Sequence, residues 1–170
     1  MYEHIKFKNA INMRKANYDK FPSTKLTGML VQGWDSIISM LKKKMDARKV
    51  LAVDLYTGVY EEEVLDAFSK EFSGRVMNVR DLMKPEKEIQ TLTERFMTED
   101  VLFGYVTNLK LEDYLDADKV AAARKQISEA KETIVIIGTG AAVVAPQDAM
   151  VVYADMARWE IQQRFQIGRA

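Results

Sequence analysis

The chain predicts an α/β protein: a three-layer α/β/α arrangement around a mostly parallel sheet. Two observations carry this. Short apolar, β-branched runs are separated by stretches of helical spacing, so the strands must be joined by crossovers. One run, Thr133–Ile137 (TIVII), has no polar alternation at all, as expected for a parallel strand buried on both faces.

The elements follow in order. Residues 1–33 are polar and weakly periodic, punctuated by Pro22 and Gly28, and are expected to form an extended leader over the domain. Trp34 to Asp46 has helical spacing, with Trp34, Ile37, Ile38, Leu41 and Met45 on one stripe and Trp34 as a core anchor. Val50–Val53 is a first strand, Asp54 to Tyr60 a loop containing Gly58, and Glu61 opens a helix whose apolar face is Val64, Leu65 and Phe68. Gly74 is expected to end that helix. Arg75 to Val79 is a second strand, delivering Arg80 and Asp81 at its end. Pro85 starts a helix through about Met97, Asp100 to Tyr114 is irregular, and Asp116 or Asp118 caps a helix running to about Ala130. The third strand, Thr133 to Ile137, ends in Gly138, Thr139 and Gly140. After a turn at Pro146 and Asp148 come a fourth strand, Ala149 to Tyr153, and a helix from Met156 to Phe165.

In such a sheet a ligand is expected beyond the C-terminal ends of the strands. The loops there supply Thr57, Gly58, Asp81, Gly138, Gly140 and Asp155. Asp54 either coordinates a metal or bonds backbone amides at the strand end, and the 138–140 loop either approaches a ligand or only turns the chain.

Composition narrows the chemistry. With 170 residues the chain fits one domain, and 48% hydrophobic with 29% charged residues is ordinary for a globular protein. Twenty-five basic residues balance 25 acidic ones, and the Lys42–Lys44 cluster reads as a solvated helix face, so no nucleic-acid partner is expected. There is no cysteine, which excludes disulfides and thiolate catalysis. His4 is the one histidine, so Ser–His catalysis and a multi-histidine metal site are excluded, and no metal is expected. The ten methionines are scattered and read as core filler. No signal peptide or long apolar span is present, and a cytoplasmic location without membrane partners is expected.

Lys49 to Phe68 (KVLAVDLYTGVYEEEVLDAF) is laid out like a phosphate-binding strand–loop–helix. Such a loop reads GxxxxGK[ST], its amides cradling phosphate and its lysine neutralising it. Here the diagnostic positions are Leu55, Tyr60, Glu61 and Glu62. Both terminal glycines are missing and a carboxylate replaces the lysine. Glu61, Glu62 and Glu63 stand at the positive end of the helix dipole, and they are expected to satisfy the helix end and repel a triphosphate. The same EEE is also simply a good helix start.

From Lys49 to Phe165 the chain resembles P-loop kinases of the uridine-kinase and nucleoside-kinase type. The resemblance rests on VLAVDLYTGVYEEE, on Asp81 after the second strand, and on Thr133–Arg164. It implies Asp81 as acceptor of a substrate hydroxyl proton and Arg158 and Arg164 as phosphate-binding arginines, in a domain spanning 34–170. The GVYEEE loop and IVIIGTGAA are also similar to the kinase-like N-terminal region of long bacterial class I mannose-6-phosphate isomerases. That resemblance implies an accessory domain without ATP turnover, acting with a zinc-binding cupin domain in cis or in trans. No zinc ligand carries over to these residues, and a sugar phosphate or nucleotide is the implied ligand. Two other readings stand beside it. One is an active small-molecule kinase using Glu61, Asp81 and Arg158. The other is an interaction module anchored by Trp159 or Phe165.

Overall fold

The computed structural model describes residues 22–25, 27–45, 49–100 and 103–166, without the side chains of 165 and 166. The chain divides into two compact units, Met1–Leu30 and Val31–Ala170. The described residues of the first unit carry no helix or strand. Most of the expected leader, and His4 with it, lies outside the described residues.

The second unit is an α/β fold on a parallel sheet. In chain order its elements are α1 (Trp34–Met45), β1 (Val50–Leu55), α2 (Glu61–Glu71), β2 (Arg75–Asn78), a 3₁₀ turn (Val79–Leu82) and α3 (Glu86–Glu94). A second 3₁₀ turn (Leu111–Tyr114), α4 (Ala117–Glu129), β3 (Ile134–Gly138), α5 (Ala141–Val144), β4 (Met150–Ala154) and α6 (Arg158–Gln166) complete it. The strand order is β2-β3-β1-β4 and every pairing is parallel. No helix among the described residues is long and apolar enough to cross a membrane.

The two central strands explain the three layers. Successive side chains on a strand point to opposite faces. On β1, Leu51, Val53 and Leu55 join Val135 and Ile137 of β3 against α1 and α2. Val50, Ala52, Ile134 and Ile136 point the other way, onto α4, α5 and the 3₁₀ residues Val79 and Leu82. Ile134, Val135, Ile136 and Ile137 are each 0 or 1% exposed. Each such side chain contributes about 1.5–3 kcal/mol by leaving water, which is why this run tolerates no polar alternation. β4 is an edge strand and does alternate: Met150, Val152 and Ala154 pack inward, while Val151 and Tyr153 are exposed.

Helix capping follows the sequence at α4 and departs from it at α2. Asp116, not Asp118, is the α4 cap, its carboxylate accepting from the Asp118 and Lys119 amides at 3.0 Å each. Helix α2 stops before the expected glycine. Phe72 caps it in an extended conformation, its N–H bonded to the Phe68 carbonyl and its ring stacked on Phe68 at 5.6 Å. Gly74 serves a different purpose: a Cβ there would fall 1.9 Å from the Thr133 carbonyl oxygen. The residue is glycine because the start of β2 is pressed against the start of β3. Helix α5 is an unexpected element, a single turn between the 138–140 glycines and Pro146.

The Gly74 contact makes a prediction. Gly74→Ala must push β2 from β3 and stretch the Arg75 N–H bond to the Thr133 carbonyl, now 3.0 Å. We expect a loss of about 1–3 kcal/mol in urea unfolding, the usual cost of overpacking. An unchanged midpoint would show that the two strand starts are not closely packed.

Candidate functional site

Topology fixes where a ligand would bind. β1 leads through α2 to β2 on one side of the sheet, whereas β3 leads through α5 to β4 on the other. β1 and β3 are neighbours, so the topological switch point lies between their C-terminal ends. The register sets Asp54 opposite Gly138 on one side and Tyr153 on the other.

The chain itself fills this crevice. Asp54 Oδ1 accepts from the Gly140 N–H at 3.1 Å, and Oδ2 accepts from the Ala142 N–H at 2.9 Å. Thr139 Oγ1 donates to the Leu55 carbonyl at 2.9 Å, tying the same loops in the reverse direction. Amide hydrogens that would suit an anion are thus bonded to an internal carboxylate. Of the two readings of Asp54, the structure shows the one in which it bonds backbone amides.

Gly138 and Gly140 have left-handed φ values of 136° and 88°. Both are buried. A Cβ on Gly138 would lie 2.8 Å from Val79 Cβ, and one on Gly140 would lie 3.3 Å from Leu111 Cδ2. Both glycines admit neighbouring apolar side chains.

Beside the crevice lies a recess of about 570 Å³ lined by the 55–63 segment with Arg80 and Thr139. It gathers Thr57, Gly58 and Glu61. Asp81 lines a separate hollow with Arg75 and Lys119, and Arg158 lines neither. Arg158, like Asp155, is exposed. The residues of the active-kinase reading are therefore not brought into one recess.

All three glutamates stand in the first turn of α2, where the helix dipole favours them. Tyr60 is the N-cap and makes no side-chain capping bond. Glu61 instead reaches across to β2, accepting from Asn78 Nδ2 at 2.7 Å and pairing with Arg80 at 3.2 Å. Asn78 in turn accepts from the Arg80 N–H at 2.8 Å. Glu63 accepts from Trp34 Nε1 at 3.0 Å, and the Trp34 ring meets Phe68 edge-on at 6.3 Å. Two of the three glutamates thus cross-link α2 to its neighbours. Glu62 is exposed.

Arg164 is also committed. Its Nη1 donates to the Gly58 carbonyl at 2.6 Å, and its guanidinium lies 3.8 Å over the Tyr60 ring. Glu160, one turn earlier, accepts from its Nε at 2.9 Å. The strand ends nearby are acidic. The Tyr153 phenol is raised above its ordinary pKa by desolvation and then by Asp155, Tyr56 and Asp54. The ring is 58% exposed, and the aspartates stand beside it. The negative charge of Asp155 and Asp54 disfavours an incoming anion as it disfavours a phenolate. Among the described residues no cluster of three or more carboxylate or imidazole groups is arranged to hold a metal ion.

Sequence reasoning named Asp54, Glu61 and Arg164 but missed their partners. Arg80 was visible as a charge at the end of the second strand, next to Asp81. Thr139 was visible only as part of a glycine turn. The pairing of Arg164 with Tyr60 and Gly58, 106 residues apart for the carbonyl contact, has no local signal.

The Asp54 bridge is testable by unfolding. Asp54→Ala leaves the part-buried Gly140 amide without its acceptor while the exposed Ala142 amide turns to water, and should cost about 1–2 kcal/mol, whereas Asp54→Asn keeps one acceptor oxygen and should cost roughly half. A wild-type urea midpoint for Asp54→Ala would contradict the bridging role.

Comparison with curated proteins and with solved structures gives no match. A family model does match, over residues 33–170, which is nearly the whole of the second unit. The chain belongs to the family described as Domain of unknown function (DUF8485).

Proposed function

We propose that this is a kinase-like α/β domain without ATP turnover, serving as an accessory or regulatory module beside a sugar-phosphate isomerase. One observation carries the first half of this reading. At the switch point the Asp54 carboxylate takes up the Gly140 and Ala142 amides, beside the Leu55–Glu62 loop at which a kinase would hold phosphate. Phosphoryl transfer needs positive charge where negative charge builds up. Here Arg80 is paired with Glu61, and Arg164 is engaged by Gly58, Tyr60 and Glu160. The isomerase half rests on the resemblance of the GVYEEE and IVIIGTGAA segments to the N-terminal region of long class I mannose-6-phosphate isomerases. In this reading the zinc chemistry belongs to a cupin domain, in cis or in trans, and the module's ligand is a sugar phosphate. The proposal includes a cytoplasmic location.

A second reading, an interaction module, is favoured by one feature. Trp159 is 67% exposed on α6, as a docking anchor would be. Phe165, the other expected anchor, has its side chain outside the described residues. The two readings are compatible, since an accessory module must dock on its partner.

The test is a thermal-shift and turnover experiment with MgATP, mannose 6-phosphate and fructose 6-phosphate. Binding to the folded state must raise stability, by about 2.7 kcal/mol at a hundredfold excess over Kd. We expect no ADP formation and no shift with millimolar MgATP, and a shift with one of the sugar phosphates. ATP-dependent phosphorylation of a sugar or nucleoside, lost in Asp81→Ala, would overturn the reading. Absence of any sugar-phosphate shift would remove its isomerase half.

A further inference from the structure

Helix α6 has an unusual anchorage. None of its described side chains is buried, and Trp159 faces solvent. Its deepest polar side chain is Arg164, only 15% exposed although it belongs to the last turn of a surface helix. That arginine does three things at once. It donates to the Gly58 carbonyl, it covers the Tyr60 ring, and it is oriented by Glu160 on its own helix. Gly58 is left-handed at φ 97°, and the 56–60 turn is closed by a Val59 N–H bond to the Tyr56 carbonyl at 3.1 Å. So, among the described side chains, Arg164 is the one that ties the loop shaping the recess to the helix that follows the edge strand.

We propose that α6 is a latch and Arg164 its pin: α6 releases as a unit, and its release frees the 56–60 loop and reshapes the recess. The physical case is a contrast in what holds each part. β1 and β3 are fixed by apolar side chains almost wholly withdrawn from water. Among its described side chains, α6 is tied to the fold by one charged hydrogen bond, one cation–π contact and the half-buried Ile161, while its i,i+4 ion pair lies within the helix and orients Arg164. Segments with little buried apolar surface open locally, well below the free energy of global unfolding. The loop is the natural follower, because its Gly58 carbonyl and Tyr60 ring lose their cover when Arg164 leaves. This device does not depend on whether a nucleotide or a sugar phosphate binds in the recess.

Amide hydrogen exchange on the full chain tests it. In the wild type, amides of α6 should exchange faster than those of Ala52 and Val135 in the central strands. Arg164→Ala should speed exchange by about tenfold or more at the α6 amides and at Val59, the order expected for losing a charged hydrogen bond and a cation–π contact. Ala52 and Val135 should not change. Tyr60→Phe keeps the ring and should leave α6 at the wild-type rate. Three results would overturn the proposal: α6 and the central strands exchanging at one common rate in the wild type, Arg164→Ala leaving α6 and Val59 unaffected, or Arg164→Ala unfolding the chain as a whole. The last would make Arg164 part of the global fold.

Discussion

A carboxylate at the end of the central strand organises the whole strand-end surface. Asp54 can serve as the acceptor for the Gly140 and Ala142 amides only because β1 and β3 run parallel in register, with Asp54 level with Gly138. The register in turn depends on the Ile134–Ile137 run packing on both faces of the sheet. Thr139 returns a hydrogen bond to Leu55, so the two loops are tied in both directions. Hydrogen bonds to a charged group are worth about 1.5–3 kcal/mol, and an amide stranded in the crevice costs a comparable amount. The crevice is therefore a structural joint within the domain.

The surrounding charges follow the same pattern of internal satisfaction. Glu61 stands in the first turn of α2, where the dipole favours it, yet its oxygens are spent on Asn78 and Arg80. Arg164 is spent on Gly58, Tyr60 and Glu160. The exposed Arg80–Glu61 pair contributes no more than about 1 kcal/mol to stability, because Arg80 is 70% exposed and screened. Its effect is positional: it holds α2 to the end of β2 and removes a cation from the recess.

The fold was largely legible in the sequence, and the site only in part. Thr133–Ile137 and Val50–Val53 announced buried parallel strands, and the helical stripe from Trp34 to Met45 announced α1, because burial periodicity is written locally. Glycine was harder to interpret. Gly74 looked like a helix stop but is a contact point with Thr133, and Gly138, read as either a ligand approach or a turn, sits tightly against Val79. In both cases the constraint comes from residues more than fifty positions away in the chain, which no local pattern reveals. The glutamates show the same limit. Their place at a helix start was readable, but their partners Trp34, Asn78 and Arg80 come from other elements. Arg164 was expected from the resemblance to bind phosphate, and the fold engages it with Gly58, Tyr60 and Glu160.

The most direct test of the filled crevice is a two-dimensional amide NMR titration of the wild-type chain with MgATP and with pyrophosphate, followed at Gly140 and Ala142. If Asp54 occupies the anion position, both amide signals stay unperturbed at millimolar concentrations of either titrant. Saturable shifts of these two signals would show phosphate displacing the carboxylate, and would contradict the internal satisfaction on which this view of the domain rests.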